Sequence, residues 1–215
     1  MSNNLRQIAD ILIRSVSGGD DVADGKYSPQ YVEALIPALR QQAIIDDYYG
    51  TRTRAASRRL DYALYQTADI TVNNVPNNPN DYITFTCPKC IGVGRLIDGL
   101  EYVGQQENSI GFKRLLNRGD ISNNKARNMF DGSVIAYIWA SPNLEVYGNN
   151  ALTELQVRGI FSDPTEVPNF DIENDPYPIS ENILLLMTDL FKMNQNINIQ
   201  TPADITLDGK VTNPR

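Results

Sequence analysis

Both cysteines of the chain lie within one short stretch, Cys87-Pro88-Lys89-Cys90. A Cys-x-x-Cys pair suits two kinds of chemistry, half of a zinc site or a redox dithiol. A structural zinc site takes four Cys or His ligands, and this sequence has two cysteines and no histidine. A thioredoxin-type dithiol has its first thiol at a helix N-terminus, where the helix dipole favours thiolate. The residues that follow Cys90 are Ile91-Gly92-Val93-Gly94, with two glycines and two β-branched residues, which do not start a helix. The expected state is a pair of reduced, partly buried thiols at a strand end, holding neither metal nor disulfide.

Other stretches carry weaker signals. Gly92-Val93-Gly94-Arg95-Leu96-Ile97 puts Ile97 where a dinucleotide-binding loop needs its third glycine, and no helix follows, so the glycines are read as serving a turn or a close strand crossing. Asp171, Glu173 and Asp175 alternate as in a calcium loop, but Pro176 stands where that loop needs Gly, and Asn182 where it needs Glu. A solvated acidic loop is the simpler reading. The absence of histidine removes the commonest general base, and no Ser-His-Asp set, Walker loop or zincin helix is present. No catalytic, metal or cofactor-binding residue is assigned.

Charge is more informative. The formal net charge is −7, which disfavours general nucleic-acid binding. Against that background, Arg52, Arg54, Arg58 and Arg59 form a basic cluster. Residues 159–191 carry seven acidic side chains and no basic one, among them Asp163, Glu166, Asp171, Glu173 and Asp175. A basic and an acidic surface on one chain can pair between identical neighbours, so the acidic set is a candidate interface loop. The arginines are a candidate subunit interface or the lining of a DNA channel.

The elements that would position these groups follow from periodicity. Leu5, Ile8, Ala9, Leu12, Ile13 and Val16 mark one face of a first helix. A glycine- and aspartate-rich loop follows, and Ser28 and Pro29 then start a second helix, with Tyr27 stapled against Val32 and a buried stripe of Val32, Leu35, Ile36, Leu39 and Ala43. Pro37 interrupts its hydrogen bonding and predicts a kink. Helix is expected to resume over residues 51–66, ending near Thr67. From there ITVNNV, YITFTC, LEYVGQ, SVIAYIWA, NLEVYG and LTELQVRGIF read as short strands separated by Asn, Gly and Pro. Val134 to Trp139 are apolar on both faces and predict a strand covered on both sides. Four prolines in 162–179 predict an irregular crossing. A last helix follows, capped by Ser180 and apolar around most of its girth, so it is buried in this chain or against another.

The fold class expected is therefore α+β: N-terminal helices, a small central antiparallel sheet or partly closed barrel, a C-terminal helix and an extended arm. The organisation expected is a helical region 1–68, a β-rich region 69–194 with its closing helix, and an arm 195–215, forming one cooperative domain plus the arm. Ile197, Ile199, Ile205, Leu207 and Val211 are too scattered to make a core and are candidate contacts of that arm with a neighbour. No apolar run is long enough to span a bilayer, and no signal peptide is recognisable, so a soluble protein made in the cytoplasm is expected.

This order of segments, with Val157-Arg158-Gly159-Ile160-Phe161-Ser162-Asp163-Pro164-Thr165-Glu166 and the Tyr177-Pro178-Ile179 entry to the last helix, resembles the ring-forming head-to-tail connector (adaptor or collar) proteins of crAss-like and related short-tailed phages. The resemblance spans most of the chain, and its motifs are structural. It implies a non-enzymatic virion protein that forms a ring of twelve copies beneath the portal protein, extends the DNA channel, and offers a platform to other connector or tail proteins. Genomic DNA would pass without sequence-specific contact. The competing readings are a small intracellular metal- or redox-binding module using Cys87 and Cys90, and a hydrolase or nuclease built on the acidic loop.

Overall fold

The computed structural model describes residues 3–17, 27–50, 60–74, 82–93, 99–105, 111–116, 119, 136–140, 142–148 and 152–195. The chain separates into two compact units, one of Met1–Leu60 with Asp171–Arg215, the other of Asp61–Phe170. The architecture is α+β, with helices in the first unit and a mixed seven-stranded sheet in the second. The closing helix groups with the helical unit, not with the sheet.

In the helical unit, α1 (Leu5–Val16) opens with a capping box in which Asn4 accepts from Gln7 N at 2.9 Å and Gln7 returns the bond to Asn4 N at 3.0 Å. Leu5, Ile8, Ala9, Leu12 and Ile13 are buried, and Val16 is only partly so. Helix α2 (Pro29–Gly50) continues through Pro37 and buries Val32, Ile36, Leu39, Ala43 and Ile44, with Leu35 at the margin. It also buries Arg40 completely, a position the apolar reading of the stripe passed over. Arg40 stands four residues from both Ile36 and Ile44, so the helical period puts it on the inner face whatever its polarity. Helix α3 covers residues 181–195. Ser180 Oγ accepts from Ile183 N at 3.4 Å, as expected of its cap, and Ile183, Met187, Phe191 and Gln195 form the buried stripe. Helix therefore includes Gln195, and residues 196–215 of the expected arm lie outside the described residues.

The expected helix over 51–66 is corrected at its C-terminal end. Tyr62–Leu64 is a single 3-10 turn capped by Asp61, and Gln66 already begins a strand. Leu64 is buried, which anchors the turn, while the alternation from Gln66 onward favours extended chain. The N-terminal part of that expected helix lies outside the described residues.

The strands are β1 (Gln66–Asn74), β2 (Ile83–Thr86), β3 (Leu100–Gly104), β4 (Lys113–Arg114), β5 (Ala136–Ala140), β6 (Asn143–Tyr147) and β7 (Glu154–Gly159). Their order is β3-β7-β1-β2-β6-β5-β4. All six strands expected from the sequence are present. The two-residue β4 was missed, and its pairing with β5 is parallel, which makes the sheet mixed. The sheet is strongly curled into a half-barrel, and Phe112 N, just before β4, donates to Val103 O of β3 at 2.7 Å. A bulge between Val72 and Asn74 lies where β1 starts to pair with β2.

The core of this unit collects Ile83 and Phe85 of β2, Leu144 and Val146 of β6, and Leu155 and Val157 of β7 with their neighbours. Strand β5 is covered on both faces, as its composition predicted. Tyr137 and Trp139 face the main core, while Ala136 and Ile138 join Leu115 in a second, smaller cluster.

Candidate functional site

Of the residues singled out by charge, Arg52, Arg54, Arg58 and Arg59 lie outside the described residues, as do Ile197, Ile199, Ile205, Leu207 and Val211. The acidic set is described, and it is divided between the two units. In the sheet unit, Asp163 caps the 3-10 turn Pro164–Glu166, its Oδ1 accepting from Thr165 N at 2.9 Å and from Thr165 Oγ1 at 2.7 Å. In the helical unit, Asp171 and Asp175 close a turn on one another. Asp175 N donates to Asp171 O at 2.8 Å, and Asp171 N donates to Asp175 Oδ2, also at 2.8 Å.

The Asp171 carboxylate accepts from Asn174 Nδ2 at 2.7 Å and from Glu173 N at 2.9 Å. The Asn174 side chain first, and then the Glu173 amide, hold its carboxyl below the ordinary aspartate value. The lone pairs that a cation would need are thus engaged in building the turn. Among the described residues no three Cys, Asp or Glu side chains come together in a way that could hold a metal ion.

The cysteine stretch has a clear structural setting. Cys87 is buried in the sheet core and Cys90 forms an isolated antiparallel bridge with Phe161; both are reduced thiols. Ile91 N donates to Ile160 O at 2.8 Å, and Ser162 N donates to Lys89 O at 2.7 Å. The Cys-x-x-Cys segment and the Gly159–Ser162 segment, the two stretches most conspicuous in the sequence, therefore form one seam. Gly99 supports it. Its φ is +72°, and a Cβ there would fall 2.6 Å from Cys90 Cβ and 2.6 Å from Ile91 O. Gly99 and Gly159 serve a close crossing here, while Gly94 lies outside the described residues.

One grouping of polar side chains among the described residues was not legible from motifs. It centres on Arg158, on the outward face of β7. Arg158 Nε lies 3.2 Å from Glu101 Oε2 of β3. The guanidinium also sits 5.6 Å from the ring centroids of both Tyr62 and Tyr65. Alternation along β7 buries Leu155 and Val157 and turns Glu154, Gln156 and Arg158 outward. Register places Arg158 opposite Thr67 of β1 and Tyr102 of β3. Next to it, Gln156 Nε2 donates to Asp69 Oδ1 at 3.1 Å.

Burial first, and then the Glu101 carboxylate, push the Tyr65 hydroxyl up to about 12. A phenol held so firmly protonated is a poor general base near neutrality. Tyr62 is 62% exposed and offers its ring to solvent. Tyrosine and arginine held against each other on an open sheet face suit contact with another macromolecule better than bond-making chemistry. The signal that could have found this group is the Tyr62-x-x-Tyr65 spacing together with outward alternation at 154, 156 and 158. What no local pattern supplied is the pairing of β7 with β3.

Compared with protein-family models and with curated proteins, the chain matches none. Among the described residues no helix is long and apolar enough to cross a membrane.

Proposed function

We propose that the protein is a structural component of a phage virion, assembling as a ring in the head-to-tail connector, where it extends the portal DNA channel and receives tail components. The observation that carries the reading is the apolar surface left uncovered by the helical unit. Tyr31, Tyr49, Ile172, Leu185 and Met193 are all exposed large apolar side chains of that unit. Scattered exposed apolar residues are ordinary, but a helix that shows leucine and methionine on its outer side suits a chain completed by neighbours. The resemblance carried by the Val157–Glu166 and Tyr177–Ile179 motifs supports the same reading, as does the opposition of an Arg-rich stretch and an acidic one in a chain of net charge −7.

Ring contacts are heterologous, joining one surface of a subunit to a different surface of the next, so unlike patches on one chain are what such an assembly uses. Light scattering of the purified chain, alone and mixed with the portal protein, tests the proposal. The expected result is a closed oligomer or a stable complex with portal. A strict monomer that ignores portal at all concentrations overturns it.

A further inference from the structure

We propose that the outer side of α2 is a docking surface for the same helix of a second copy, the two running antiparallel. This helix carries two seams. Val32, Ile36, Leu39 and Ala43 are buried within the chain, at intervals of four, three and four. One position ahead run Tyr31, Leu35, Ala38, Gln42, Ile45 and Tyr49, at intervals of four, three, four, three and four. That spacing is the repeat by which two helices pack side by side. Helix α2 runs unbroken through Pro37, so the outer seam extends over five turns, about 27 Å. Tyr31 is 53% exposed and Tyr49 49%, while Leu35 and Ile45 are half-buried. The outward side of a surface helix ordinarily carries charge. Here the exposed positions from Tyr31 to Ile45 are Tyr31, Ala34, Ala38 and Gln42, and none is charged.

The occupant follows from the symmetry of the spacing. Its intervals are the same read from either end, so the seam is complementary to an antiparallel copy of itself. Such a copy sets Tyr31 against Tyr49, Leu35 against Ile45 and Ala38 against Gln42, each pair occurring twice about a twofold axis. Aromatic ring meets aromatic ring and branched side chain meets branched side chain. The small Ala38 leaves room for the long Gln42 amide, which keeps the middle layers close-packed.

Charge selects the antiparallel arrangement over the parallel one. Asp46 flanks the seam, its Oδ1 accepting from Gln42 Nε2 at 2.8 Å. Asp46 and Asp47 lie near the C-terminal end of α2, where the helix dipole disfavours acids and the last turn holds no basic residue. A parallel pair gathers all four carboxylates at one end. The antiparallel pair sends two to each end, alongside the N-terminal half of the partner helix, and holds the two Asp46 residues about 18 Å apart along the axis. An uncharged seam also lets two chains of net charge −7 meet where their repulsion is least. A twofold contact differs from the heterologous contacts of a ring, so this inference stands apart from the ring reading above.

The test uses full-length chains. One preparation carries Tyr31→Cys and the other Tyr49→Cys, and each alone and the two mixed are mildly oxidised, with the unmodified chain as background for Cys87 and Cys90. The expected result is a covalent dimer in the mixture, at least tenfold above either preparation alone and above that background. Ala38→Arg places a charge in the middle of the seam. It is expected to weaken self-association, followed by sedimentation over a concentration series, by tenfold or more while its far-ultraviolet circular dichroism matches the parent chain. Cross-linking of each preparation chiefly with itself overturns the antiparallel pairing in favour of a parallel one. No cross-link above background, or an Ala38→Arg chain that associates as the parent does, removes α2 from any contact between copies and leaves the ring reading untouched.

Discussion

Arg40 shows how much a single side chain can organise. It is fully buried, its Nε donates to Pro178 O at 2.8 Å, and its guanidinium lies 5.9 Å from the Tyr177 ring. Tyr177 N in turn donates to Asn3 O at 2.9 Å, so the approach to α3 is tied both to α2 and to the start of α1. Arg40→Ala should cost about 3 kcal/mol, from the unsatisfied carbonyl and the space left behind, read as a lower midpoint in urea unfolding. Arg40→Lys should recover only part of this, because an ammonium cannot reproduce the planar guanidinium contact with the ring. Tyr65 gives a second test at this scale. Its folded pKa of about 12 lies above the ordinary 10.0, so its contribution to stability is complete below pH 10 and is lost as pH rises towards 12. Glu101→Gln removes a like charge, and phenolate absorbance should then show Tyr65 titrating at lower pH than in the parent chain. An unchanged titration would mean that burial alone sets the value. At the acid end the sign is opposite. The Asp171 turn is strongest above the unfolded aspartate pKa and weakens as the pH falls through the depressed folded value.

At the scale of elements, the seam between the Cys-x-x-Cys segment and Gly159–Ser162 carries the most constraint. Gly99→Ala should cost 2 kcal/mol or more, as an order of magnitude, because positive φ and a clash with backbone act together. Gly50→Ala, where an added Cβ meets nothing within 4 Å, serves as the control and should move stability by less than about 1 kcal/mol. Comparable losses for both would show that the close approach at Gly99 is relieved by backbone movement. Helices and strands were largely legible from period and capping, and α3 began where Ser180 indicated. The end of helix near Thr67 was misread because Tyr62-Ala63-Leu64-Tyr65 has good helical residues. The strand starting at Gln66 wins through pairing with β7, a partner some ninety residues away in the chain.

For the whole molecule, charge asymmetry and exposed apolar surface are the properties that bear on assembly. Replacing Arg52 and Arg54 with Glu should lower the assembled fraction seen by light scattering and shift unfolding free energy by less than about 0.5 kcal/mol. Undiminished assembly would remove these arginines from any interface, and a large stability loss would assign them to the fold. The candidate acidic loop was legible as composition, but not its partition. Asp163 caps a turn in the sheet unit, while Asp171 and Asp175 build one in the helical unit.

By itself the sequence determined the α+β class, the six longer strands, the caps and inner faces of the helices, and the lack of a histidine-based site, because each is written in local spacing and residue chemistry. Only the tertiary structure decided that Arg40 is interior, that Arg158 meets Glu101 between two tyrosines, and that Cys87 and Cys90 belong to a packed seam. Those facts depend on which distant segments pair. Pairing is chosen by the summed burial and hydrogen bonding of the whole sheet and helix set, and no short window of residues contains that sum.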